Sequence, residues 1–286
     1  MTTLIRIIVL ALTTVLISTT VVGAQEFQGQ ATYKSKRKID IKLDSSQVNS
    51  GMHEQMMEML KKQFEKTYIL SFNKEASIYK EEESLAAPQP QGMQVVMVGS
   101  GGADVLYKNI KEKRFTNQNE SFSKVFLIKD TLVAHEWKLE SETKNIGNYT
   151  CFKATMTREI EAIESRISFN GDKDLSENET ENPKMKEITI TAWYTPQIPV
   201  SVGPGNYHGL PGLILEVNDG SETVICSKIV INPENASKIV EPKKGKVLTQ
   251  DAYDKIMEKK LKDMEERFRS NRSDSDGESF EIRIGG

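Results

Sequence analysis

Cysteine, histidine and tryptophan are all scarce: the 286 residues hold two, three and two of them. Cys151 and Cys226 stand far apart, so no Cys-x-x-Cys redox or zinc motif exists. His53, His135 and His208 show no His-x-His or His-x-x-x-His spacing, and sequence neighbours therefore supply no zinc site. The chain also lacks Gly-x-Ser-x-Gly, a phosphate-cradling glycine loop and His-Glu-x-x-His. It has no excess of positive charge, with 38 Lys and Arg against 41 Asp and Glu, and no basic stripe interleaved with aromatics. Nucleic acid is thereby excluded as the expected partner.

Long apolar runs are missing too, apart from Ile7 to Val22. That run follows Arg6 and ends in Val22-Gly23-Ala24, the layout of a secretory signal peptide over residues 1–24. No later run is long enough to span a bilayer, and no cysteine follows the cleavage position to carry a lipid. The expected location is the periplasm, with outer-membrane association or release as further outcomes. In that compartment the even cysteine count points to a Cys151–Cys226 disulfide, the alternative being two separate buried thiols.

What the chain does have is a dense proline and glycine segment between Trp193 and Val217, WYTPQIPVSVGPGNYHGLPGLILEV. Pro196, Pro199, Pro204 and Pro211 each fix φ and remove a donor, and Gly203, Gly205, Gly209 and Gly212 permit backbone that other residues avoid. The alternating run Ile188 to Tyr194 precedes it. Leu213 to Val217, the turn Asn218-Asp219-Gly220 and Thr223 to Ile231 follow it. The pattern predicts strand, ordered loop, strand, tight turn, strand.

Elsewhere Glu26 to Asp40 reads as a first strand, and Thr67 to Phe72 with Ala76 to Tyr79 as a hairpin around Asn73-Lys74-Glu75. Short alternating runs from Asp104 to Met156 continue an antiparallel sheet. Ser50 to Phe64 is expected to form a Met-rich amphipathic helix, and Thr249 to Arg269 a terminal helix with Thr249 as N-cap. The expected fold is mainly β (α+β), a curved antiparallel sheet with these two helices packed on it. It occupies residues 25–270, with mobile loops at 81–102 and 159–187 and a polar tail at 271–286.

The run Gly209-Leu210-Pro211-Gly212-Leu213-Ile214 and the upstream AWYTPQIPVSVGP, including Trp193 and Tyr194, resemble the signature of the GLPGLI family of secreted Bacteroidetes proteins. Lys144 to Ala154, KNIGNYTCFKA, is similar to that family's second motif, as are Cys226 to Ile229 and Pro242 to Gly245. The resemblance implies a secreted protein of unknown function and carries over no catalytic residue and no cofactor.

The leading expectation is a non-catalytic envelope protein whose sheet face binds an apolar ligand or an envelope protein partner. The second is an envelope hydrolase, or an accessory domain of one, with Tyr207, His208 and Glu216 as its site. Glu216 otherwise reads as a solvent-facing strand residue. The third is copper or zinc handling through the methionines and His53, against which the Met spacing reads as a packing stripe.

Overall fold

A strand that buries every second residue needs partners on both sides, and β1 (Gln28–Arg37) finds them in β2 (Lys66–Asn73) and β11 (Glu222–Ile231), both antiparallel. Gly29, Ala31, Tyr33 and Ser35 point into the core from β1 while the residues between them do not. This computed structural model describes residues 27–38, 65–82, 104–161, 185–235 and 237–272. The expected Ser50–Phe64 helix lies outside the described residues.

From β2 the sheet continues as a meander through β3 (Ala76–Glu81), β4 (Val105–Asn109), β5 (Arg114–Ser121) and β6 (Lys124–Thr131). Asn73 makes the β2–β3 turn, its carboxamide oxygen accepting from the backbone N–H groups of Glu75 and Ala76. On the other side of β1 stand β11, β10 (Leu213–Asn218), β9 (Met185–Thr195), β8 (Tyr149–Glu161) and the edge strand β7 (Lys138–Ile146). The twelfth strand, β12 (Lys246–Leu248), pairs parallel with β6 and closes the other end, and was not anticipated from sequence. Three residues are too few to show a period.

Among the described residues the result is one sheet of twelve strands, antiparallel except for β12, with a single helix, α1 (Gln250–Arg272). The Tyr253 hydroxyl docks α1 on β5 by donating to the Asn119 side-chain oxygen at 2.8 Å, and its ring meets Phe126 edge-on. Several expected boundaries shift. Glu81 pairs with Tyr68 inside the sheet, β8 and β9 hold their ladder from Glu161↔Met185 onward, and α1 runs to Arg272. The ends of both expected loops and the start of the expected tail are therefore regular structure.

Buried apolar residues form two sets. The first gathers Ala31, Tyr33, Leu70, Phe72, Tyr79, Leu106, Cys151, Leu213 and Leu215 from across the sheet, together with Ile198, Val200 and Val202. The second gathers Ala154, Met156, Ile190, Ala192, Tyr194, Ile214 and Val217 with Leu210. On β8, Cys151 belongs to the first set and its neighbour Phe152 packs on the second; on β9, Trp193 and Tyr194 divide likewise. Neighbouring side chains on a strand leave opposite faces, so the sets lie on opposite faces at this end of the sheet.

The expected disulfide does not form: Cys151 and Cys226 are free thiols. They sit on β8 and β11, with β9 and β10 between them, about 14 Å apart along the sheet at the usual strand spacing. A disulfide needs Cα atoms within about 7 Å. Burial pushes the Cys151 thiol up to about 11 and that of Cys226 up to about 12, the behaviour of inert packed sulfur.

Candidate functional site

The segment from Pro196 to Gly212 leaves β9 and re-enters the sheet as β10. Ile198, Val200 and Val202 are buried while Pro196 and Pro199 are exposed, so the prolines fall where no inward donor is needed. The segment folds back on itself. Val202 and His208 form an isolated antiparallel bridge, and Gly209 N–H donates to the Ser201 carbonyl at 3.3 Å. Leu213 and Ile214 donate to the carbonyls of Ile198 and Val202 at 2.9 and 3.1 Å.

Two glycines are required by geometry. Gly212 runs so close to β9 that a Cβ would stand 2.2 Å from the Thr195 carbonyl oxygen, and Gly205 holds φ at +52° in open space. Together they turn out a tip, Gly203 to His208, that belongs to no strand ladder.

Six successive carbonyls at this tip need donors, and each has one. Lys108, on β4 and fully buried, donates from Nζ to the carbonyls of Gly203 at 2.9 Å, Tyr207 at 3.0 Å and Gly205. Tyr207 N–H takes the Pro204 carbonyl at 3.1 Å. His135 Nε2 and His208 Nδ1 both lie on the Asn206 carbonyl, at 3.1 and 2.9 Å, and a carbonyl only accepts, so both nitrogens carry the proton. Trp137 Nε1 donates to the His208 carbonyl at 2.8 Å.

The electrostatics follow from burial. Loss of water pushes the Lys108 ammonium down to about 7, while three accepting oxygens favour the charged form. Burial also lowers His208 to about 4, with Lys108 and His135 adding repulsion against the Asn206 carbonyl's opposing pull. His135 is lowered by burial, then by Lys108 and Arg158, again against Asn206. The two imidazole rings stand 4.6 Å apart.

Of the residues expected to form a site, Tyr207 and His208 come together, joined by His135 and Trp137. Glu216 is placed in a different polar set. It sits opposite Trp193 on β10, beside an irregularity that leaves Leu215 without a partner on β9. Both its oxygens accept from Lys144 Nζ at 2.8 Å, and that ammonium lies 4.4 Å from the centre of the Trp193 ring. The expectation that Glu216 faces solvent is thus corrected: its side chain is only 15% exposed. Trp193, Tyr194, Pro196, Pro199, Gly203, Pro204, Gly209, Leu210, Pro211, Gly212, Leu213 and Ile214 frame the loop or pack it, Leu210 against the second apolar set.

Sequence reasoning missed Lys108, His135 and Trp137. For Lys108 a signal existed: Val105 to Asn109 alternates so that Leu106 and Lys108 share a face. Among the described residues no group of three or more His, Cys, Asp or Glu could hold a metal ion. The methionines of 50–64 and His53 lie outside them.

No curated protein matches the chain. Two solved structures of PNGF-II, in C2 and P21 space groups, are similar to it with TM-scores of 0.47 and 0.45 and 16% sequence identity. They cover 81% and 80% of this chain, which itself spans 32% of each of those chains, about a third of their length. Residues 137–216, from Trp137 through the whole loop to Glu216, match the model of a family described as "Protein of unknown function (Porph_ging)".

Proposed function

We propose that this is a non-catalytic secreted protein of the envelope whose sheet face holds an apolar ligand or an envelope protein partner. One observation carries the reading: every carbonyl from Gly203 to His208 is engaged by the scaffold. Groups in a hydrolytic site must be free to meet a substrate, whereas here His135 Nε2, His208 Nδ1 and the Lys108 ammonium all grip backbone. Glu216 is likewise occupied by Lys144.

The loop's reach supports the expected curvature. Its tip bonds to β4, while Leu210 and Tyr207 pack with the second apolar set on β8, β9 and β10, five to seven places away in the strand order. In a flat sheet those strands would stand about 24 to 34 Å from β4. The apolar face of β8 and β9 also extends outward. Leu139, opposite Ala154, is 56% exposed, and Val133 near the half-buried Trp137 is 73% exposed. A bound partner on this edge would cover both side chains.

A photo-crosslinking residue at position 139, in the full chain expressed with its leader, is expected to give one discrete adduct in cells, identified by mass as protein or lipid. Absence of any adduct would overturn the reading. So would a measurable turnover that His208→Asn or Glu216→Gln abolishes without moving the melting temperature.

A further inference from the structure

Three side chains that change charge, Lys108, His135 and His208, hold four of the six tip carbonyls. They come from three places: β4, the segment between β6 and β7, and the loop itself. Trp137, from the same inter-strand segment as His135, grips the adjoining carbonyl of His208. Just below pH 7 the Lys108 ammonium and two uncharged rings share this buried space. Below the histidine range the same space would contain three cations, two of them on rings 4.6 Å apart.

We propose that residues 203–209 form an acid-released latch: protonation of His135 and His208 beside the Lys108 ammonium detaches the tip and uncovers Tyr207 and Leu210 from the second apolar set. The charged groups bearing on the rings do not offset this. Arg158, from β8, adds positive charge at His135, and Lys108 acts on both rings. The carboxylates of Asp219 and Glu222, from the β10–β11 turn, bear on Tyr207. The Asn206 carbonyl at both rings, and the Val133 carbonyl at His208, favour the charged form, and burial outweighs them.

The sign follows from linkage. Both folded-state values lie below the ordinary histidine value, so the opened tip binds more protons than the closed one. The histidine contribution to closure is complete above pH 6.5 and weakens as pH falls, for His208 down to about 4, whereas that of Lys108 changes only above about 7. Each histidine contributes up to about a tenfold rise in the opening constant per pH unit within its window. The inference concerns the latch alone and holds whatever the sheet face binds.

Trp137 reports the event directly, since its indole is bonded to the tip. In a Trp193→Phe variant it is the only tryptophan of the chain. Lowering pH from 7 to 4.5 should shift its emission to the red and lower the protection factors of the Gly209 and Ile214 amides, corrected for the slower intrinsic exchange in acid, at least tenfold. Amides of the β1–β2 ladder, such as Ala31 and Leu70, should keep their protection. His135→Gln with His208→Asn preserves each donor position without the charge and should abolish the shift. In the unmutated chain, the Gly209 amide transition should share its midpoint with the NMR titration of the two imidazoles, a readout that does not depend on the variants folding. A transition that survives the double substitution, that misses the imidazole midpoints, or that appears only with loss of the β1–β2 protection would overturn the latch.

Discussion

An ammonium carries three donors, and Lys108 directs all of them to one loop from 95 to 99 residues further along the chain. Buried Lys is tolerated only where its charge is solvated by protein, and the carbonyls of Gly203, Gly205 and Tyr207 supply that solvation. Methionine matches the length of the lysine stem but donates nothing, so Lys108→Met would leave three inward carbonyls unpaired. At about 1 to 3 kcal/mol for each unsatisfied buried acceptor, partly relieved by water entering the tip, the expected loss is about 3 kcal/mol. Urea denaturation should record it as a lower midpoint, and exchange should show the change concentrated at 203–209. A loss below about 1 kcal/mol would mean that the tip holds itself. The same residue marks a limit of sequence reading. Its burial is set by a partner almost a hundred residues away, and local alternation alone shows only that Leu106 and Lys108 share a side.

At the scale of elements, α1 begins where two side chains meet its free N–H groups. The Asp130 carboxylate, at the end of β6, accepts from Gln250 N–H at 3.1 Å, and the Thr249 hydroxyl from Ala252 N–H at 3.4 Å. Hydrogen bonds from the Thr131 and Gln250 backbones hold the Asp130 carboxyl below its ordinary value. A depressed carboxylate contributes stability above its unfolded value and loses it as pH falls through the folded one. Asp130→Asn should therefore cost about 0.5 kcal/mol at pH 7, small because the site is open to solvent, and progressively less as pH falls below the ordinary carboxylate value. Destabilisation that stays constant as pH falls would show that shape, not charge, makes this cap. Here sequence was a good guide in part: Thr249 was legible as an N-cap because capping is local, while Asp130 was not, being 120 residues away. The same division runs through the sheet. The Asn73 and Asn218-Asp219-Gly220 turns were legible from their residues. The three-residue β12 was not, nor was the unpaired Leu215 that accompanies the half-buried Glu216.

For the molecule as a whole, the chain must travel from β11, in the middle of the sheet, to β12 at its edge, seven strand places away. Ile231 to Lys246 is 15 residue steps, enough for about 50 Å when extended, against about 34 Å across a flat sheet. The crossing is pinned at Glu241. It accepts from the Thr116 hydroxyl at 2.7 Å and Lys129 Nζ at 2.9 Å, and pairs with an Arg114 guanidinium nitrogen at 2.9 Å. Tyr107 and Thr116 are directly opposed and Thr116 faces Lys129, so the strap lies on the face away from Leu106 and Lys108. Burial alone would raise the Glu241 carboxyl, but Thr116, Lys129 and Arg114 outweigh it and bring the group down to about 2. Its stabilisation is thus lost as pH falls from about 4.5 to about 2, a window that meets that of His208 only at its upper end, near pH 4. Two acid responses follow, the tip first and the strap second, on opposite sides of the sheet. Glu241→Gln keeps the shape while removing the charge, and should lower stability at pH 7 by about 1 to 2 kcal/mol after allowance for partial exposure. Thermal melts from pH 7 to 2 should show the variant and the parent converging below pH 3, with the response between pH 6.5 and 4 unchanged. If Glu241→Gln also erased that upper response, the strap and the tip would form one cooperative unit, and the division of the sheet into two acid-sensitive sides would be wrong.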